Sequence, residues 1–82
     1  MANYIDIFMG NHIRDVRIKL GVEKSELAQS LGISINQLEK YEQGADPFKA
    51  SIVYEIADYL GLSITSLLPK NAPRNLPTMT LH

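Results

Sequence analysis

The sequence predicts an all-α fold, and three observations carry that expectation. Apolar residues recur at i, i+3, i+4 and i+7 in several windows, which is the period of one helix face. Glycines 21, 32, 44 and 61 fall where those periodic stretches end. Between residues 24 and 43, the run KSELAQSLGISINQLEKYEQ reads as two short amphipathic helices joined by a three-residue turn.

Taken in order, residues 1–9 (MANYIDIFM) form an apolar leader into helix 1, which is expected from about Gly10 to Leu20. Ile13, Val16 and Leu20 share one face of it by their i, i+3, i+7 spacing, and Gly21 stops it. Helix 2 is expected from Lys24 to Leu31, with Leu27, Ala28 and Leu31 inward and Ala28 small where two helices must cross. Gly32 has no Cβ and can take the left-handed conformation that ends a helix. Ser34 can cap helix 3, and Gln37 three residues on would complete a capping box. Helix 3 is expected from Ile35 to Gln43, with Leu38 and Tyr41 at helical spacing. Ala45–Phe48 reads as a loop, because Pro47 biases Asp46 away from helical geometry.

Helix 4 is expected from Lys49 to Leu60, where Val53, Ile56, Ala57 and Leu60 make an apolar stripe. Gly61 stops it, Ser63 can cap a helix 5, and that helix ends at Leu68-Pro69. The tail, Lys70 to His82, holds Pro73 and Pro77 and few apolar residues, and is expected to be flexible. The organisation is thus a leader (1–9), a folded domain (10–69) and a tail (70–82). The expected core is Ile13, Val16, Leu20, Leu27, Leu31, Leu38, Val53, Ile56, Leu60, Leu67 and Leu68.

Bulk properties narrow the function. Eighty-two residues make one small domain. A chain of that size buries only about 60% of the surface it exposes when unfolded, so its stability margin is thin. There is no cysteine, hence no disulfide or thiolate metal site. The start Met1-Ala2-Asn3-Tyr4 lacks the basic and apolar regions of a signal peptide, and no apolar run approaches the ~18 residues of a membrane span. A cytoplasmic location is expected, with no membrane partner. Eight basic residues against nine acidic give a net charge of −1. That balance argues mildly against nucleic acid, although the face that meets phosphate matters more than the sum.

The layout of residues 24–43 is that of a DNA-binding helix-turn-helix, in which the second helix enters the major groove. Other segments agree. Ile13-Arg14-Asp15-Val16-Arg17 with Gly21-Val22, Glu42-x-Gly44, and Ile56-Ala57-x-x-Leu60-Gly61-Leu62 with Leu67-Leu68 resemble the signature of phage repressor/Cro-type (XRE-type) transcriptional regulators. The resemblance covers Gly10 to Pro69. It implies a compact five-helix lambda-repressor-like DNA-binding domain with its helix-turn-helix at helices 2 and 3. It also implies that Arg17 and Glu42 pair across helices 1 and 3, a structural role. Three positions depart from the pattern. Lys24 stands where Gln is common, Glu23 where a Ser or Thr cap is common, and Ile35 where Arg or Gln is common.

If the chain binds duplex DNA, base reading falls to Ile35, Asn36, Gln37 and Lys40 of helix 3. Asn36 and Gln37 can bond adenine N6 and N7, Ile35 can touch a thymine methyl, and Lys40 can reach guanine or a phosphate. Phosphate contacts fall to Lys24, Ser34, Lys49 and Ser51, with backbone N–H groups at the starts of helices 2 and 4. One such helix reads few base pairs, so a homodimer on a palindrome is expected, probing half-sites about 34 Å apart. Tyr54 and Tyr59 on helix 4 suit packing or dimer contact. His12, expected on the exposed face of helix 1, and His82 have no ligand or base partner, so no cofactor, metal or enzymatic activity is expected. The alternative is a protein-interaction module, such as an antitoxin or adaptor, that keeps the same fold. Net −1, Glu23 and Ile35 favour it.

Overall fold

A computed structural model of the chain describes residues 4–69. Within them four α-helices and a closing 3-10 turn run in the order α1 (Tyr4–Lys19), α2 (Lys24–Leu31), α3 (Ile35–Glu42), α4 (Ala50–Leu60) and the turn Ile64–Leu67, with no strand. The fold is the all-helical, lambda-repressor-like one, with one α-helix fewer than expected. The segment after Ser63 is a single 3-10 turn. Ser63 does cap it, accepting from the Ser66 N–H at 3.3 Å. Pro69 disfavours helical geometry at Leu68, which is extended at φ −98 and ψ 149, and four residues are too few for an α-helical ladder.

Helix α1 begins at Tyr4 rather than Gly10, so Tyr4–Met9 of the leader is its first part. The physical reason is its inward face, which comprises Asp6, Met9, Gly10, Ile13 and Arg17 at three- and four-residue spacing. That stripe runs through two charged residues and a glycine, which a search for apolar residues passes over. Leu20 lies beyond the last turn of α1 and is 56% exposed, not core. Val16 and Leu68 sit at the core margin, partly buried. The core that forms in their place includes Met9, Tyr41, Phe48 and Ile52 alongside Ile13, Leu27, Leu38, Val53, Ile56 and Leu67.

Helix α1 lies against α3, α4 and the 3-10 turn, while α2 packs on α3 and α4. Two glycines permit the close contacts around α1. A methyl added at Gly10 would overlap the Tyr41 carbonyl oxygen and come within 2.8 Å of the Glu42 carbonyl oxygen. Gly44, after α3, sits at φ +73, and a methyl there would meet Ile7 Cγ1 at 2.6 Å. The loop that follows is tied back to the same helix. Asp6 Oδ1 accepts from the Phe48 N–H at 3.0 Å, and the Phe48 ring stacks on Tyr41 with centroids 4.7 Å apart. Asp6 thus replaces a capping residue for a loop more than forty positions away in sequence. Among the described residues no helix is long and apolar enough to cross a membrane. Residues 1–3 and the expected tail, 70–82, lie outside the described residues.

Candidate nucleic-acid interface

The candidate surface is built on α2, its turn and α3. Gly32 takes φ 69, and the Gly32 and Ile33 N–H groups bond the Gln29 and Ala28 carbonyls at 3.1 and 3.0 Å. This closing pattern satisfies two end-of-helix acceptors and turns the chain sharply. Ser34 then starts α3, its Oγ accepting from the Gln37 N–H at 2.9 Å. The reciprocal half of the expected capping box is absent. The Gln37 side chain instead turns to the next loop, where its amide N–H donates to the Asp46 Oδ2 carboxylate at 3.1 Å, a charge-assisted bond. Gln37 is half-buried as a result, while Ile35, Asn36 and Lys40 are exposed.

The position of α3 is set from behind by a buried ion pair. Arg17 Nε donates to Glu42 Oε2 at 2.7 Å and Arg17 Nη2 donates to Glu42 Oε1 at 3.1 Å. The third guanidinium nitrogen donates to the Val22 carbonyl at 3.0 Å. One side chain therefore joins the end of α1, the connection to α2 and the end of α3. The planar fork of Arg makes this bidentate geometry possible. No buried side-chain polar atom among the described residues is left without a partner.

On the outer side, the remaining candidates are distributed unevenly. Ile35 is 45% exposed and shares an open groove with Ile18, Val22 and the Glu23–Ser25 start of α2. Lys24 does not stand free. Its Nζ lies 3.1 Å from Glu39 Oε2 of α3, each side chain a little over one-third exposed. Ser34 is exposed and keeps a hydroxyl proton to donate. Lys49 is the exposed N-cap residue of α4 and Ser51 sits in its first turn. Neither Glu23 nor Lys49 supplies a side-chain cap bond, so the first-turn N–H groups of α2 and α4 have no acceptor from that source. Two residues given no role in base reading from the sequence, Glu39, expected on the solvent side of helix 3, and Gln43, share this face. Glu39 and Gln43 follow Asn36 at i+3 and i+7, the spacing that would have identified them.

Elsewhere, His12 is half-buried and stacks on Phe8 with centroids 6.1 Å apart, rather than standing on an exposed face. The Tyr59 hydroxyl donates to Glu26 Oε2 at 2.5 Å, linking α4 to α2. That hydrogen bond, then desolvation and the Glu26 charge, raises the Tyr59 pKa above the ordinary 10.0. Burial, then the Asp46 charge, raises that of Tyr41. Among the described residues no group of three or more His, Cys, Asp or Glu could hold a metal ion.

Comparison with known proteins agrees with this architecture. Residues 10–73 match a family described as "Helix-turn-helix domain". An uncharacterized HTH-type transcriptional regulator of Sinorhizobium medicae is 38% identical over 63 residues, covering 77% of this chain. The chain spans 45% of that relative's length. Among solved structures, the clp gene regulator ClgR from C. glutamicum is similar at TM-score 0.74 and 23% identity, covering 79% of this chain and 84% of that one. The biofilm master regulator SinR, solved in complex with DNA, is similar at TM-score 0.66 and 23% identity, covering 72% of this chain and 95% of that one. At such identities the two structures speak for a shared fold. The relatives named here are regulators, not enzymes.

Proposed function

The chain belongs to the helix-turn-helix domain family, and on that footing we propose that it is a sequence-specific DNA-binding transcriptional regulator, acting in the cytoplasm as a repressor. The observation that carries this reading is the outward face of α3. Ile35, Asn36 and Lys40 are exposed on a helix whose opposite side, Leu38, Tyr41 and Glu42, is buried. A helix so held can enter the major groove with Asn36 toward adenine, Lys40 toward guanine or phosphate and Ile35 toward a thymine methyl. Gln37 joins them only by leaving Asp46, and Lys24 reaches phosphate only by leaving Glu39. Ser34, Lys49, Ser51 and the N–H groups that begin α2 and α4 supply the remaining phosphate contacts.

Each good bidentate base contact discriminates by about 1–3 kcal/mol, so a single α3 is too weak for regulation. The protein therefore acts as a homodimer on a two-fold site, and it represses by occupying that site. Selection of bound duplexes from a random pool, at two salt concentrations, tests the reading. The expected result is a two-fold symmetric site whose affinity falls steeply with salt, as displaced counterions require. Absence of any enriched duplex would overturn it. The groove of Ile18, Val22 and Ile35 beside Glu23 favours a second reading, a module that binds protein. Such a partner, held by apolar contact, would be indifferent to the same change of salt.

A further inference from the structure

We propose that Glu39 is a specificity-determining residue of this interface, that it selects cytosine, and that Lys24 is the positioning residue that makes a carboxylate tolerable there. The inference rests on the reading of α3 as a groove-entering helix and deepens it. Glu39 lies one turn beyond Ile35 and Asn36 and next to Lys40, on the exposed side of α3. Its carboxylate is therefore carried wherever that face goes. Alone, it would meet a polyanion with the wrong sign.

The structure supplies the counter-charge from the other helix. Lys24 Nζ reaches Glu39 Oε2 at 3.1 Å, so the pair contributes no net charge to the face. Lys24 engages one oxygen and leaves Oε1 able to accept a second proton. In the major groove the choice of donor is narrow. Guanine offers acceptors at N7 and O6, and thymine an acceptor at O4. Adenine sets an acceptor beside its amine, which repels a carboxylate but suits an amide. Only the cytosine N4 amine presents a donor without an adjacent acceptor on the same base. A carboxylate on this face thus rejects three bases and accepts the fourth. The same bond explains why Lys24 is a poor phosphate contact, since its charge is already directed at Glu39. A half-exposed pair of this kind is weakly held and adjusts when a base edge approaches.

The test is the duplex selection repeated with Glu39→Gln and Lys24→Gln, each checked by its thermal melt for an intact fold. The wild-type chain is expected to enrich C·G at one position of each half-site, preferred by about five- to hundred-fold. Glu39→Gln should replace that preference with A·T, because an amide bonds adenine N6 and N7. It should also strengthen binding to unrelated duplex and steepen the salt dependence by about 0.9 in slope per copy bound, as Lys24 is released to phosphate. Lys24→Gln should weaken binding to every sequence while the cytosine preference stays. If the wild type enriches a site and Glu39→Gln leaves every position of it unchanged, this inference falls and the DNA-binding reading stands. If the wild type enriches nothing, both fall together.

Discussion

Arg17 shows how far one side chain can organise this fold. Its three guanidinium nitrogens are all occupied, two by Glu42 and one by the Val22 carbonyl. A buried ion pair is weak support for stability when both partners are exchanged for apolar residues. Removing one partner is different, because a buried charge is left uncompensated, at a cost of about 3–5 kcal/mol. Arg17→Met should therefore cost that much in denaturant unfolding, while Arg17→Met with Glu42→Leu should cost clearly less than the sum of the two single changes. A strictly additive double-mutant cycle would show that the pair does not act as a unit. The two perturbed tyrosines make a second prediction at this scale. Tyr41 and Tyr59 are more acidic in the unfolded chain, near 10, than in the fold. The fold thus favours their neutral forms, and that contribution is complete below pH 10 and lost as pH rises through the raised values. Stability should fall on the alkaline side, and Tyr41→Phe with Tyr59→Phe should flatten that fall in melts recorded from about pH 9 upward, since an unperturbed tyrosine titrates at ~10.

At the scale of elements, the contact of α1 with α3 sets two effects against each other. Gly10 lies inside a 16-residue helix, where Ala would ordinarily stabilise by about 0.5–1 kcal/mol. Here the added methyl would overlap backbone of α3, at the Tyr41 and Glu42 carbonyls, and backbone cannot swing aside as a side-chain end can. Overpacking of that kind costs about 1–3 kcal/mol, which exceeds the propensity gain. Gly10→Ala should lower the midpoint of thermal unfolding, and a raised midpoint would mean that the helices separate freely. Elements also differed in how much of them could be read from the chain. The bounds of α2 follow those expected, and α3 differs by one residue at its end. Their signals are local, since Gly32 and Ser34 act on the groups next to them. The start of α1 was not legible, because what holds Tyr4–Met9 in place is distant. Asp6 serves Phe48, and Ile7 closes over Gly44. Among the base-reading candidates, the exposure of Asn36 and Lys40 follows from their place opposite Leu38 and Tyr41 on one helix. The engagement of Gln37 by Asp46 and of Lys24 by Glu39 depends on neighbours nine and fifteen residues away.

For the whole molecule, size and charge bear on assembly. The body measures 32 × 26 × 22 Å, and the proposed two-fold site would hold two half-sites about one DNA turn, roughly 34 Å, apart. The face available for such pairing includes Tyr54 and Tyr59 of α4, both exposed. With a net charge of −1, the chain would feel little long-range attraction to DNA, so under the proposed function contact charges and pairing would supply the affinity. Sedimentation should show a monomer at low micromolar concentration and two copies on a duplex holding both half-sites. Tyr54→Ala should reduce cooperativity between half-sites and leave single half-site binding intact. Equal cooperativity in the variant would move the pairing surface elsewhere.

Helical class, the α2–turn–α3 pairing and the family it belongs to were all present in the order of residues, because periodicity, glycine stops and a serine cap act over one or two turns of chain. What required the folded molecule was the traffic between distant segments: an aspartate holding a far loop, an arginine at the end of the α1 stripe joined to the end of α3, and a lysine paired with a glutamate of the neighbouring helix. Those choices depend on which groups arrive within three ångströms of one another, and spacing along a single helix carries no information about arrivals from the next.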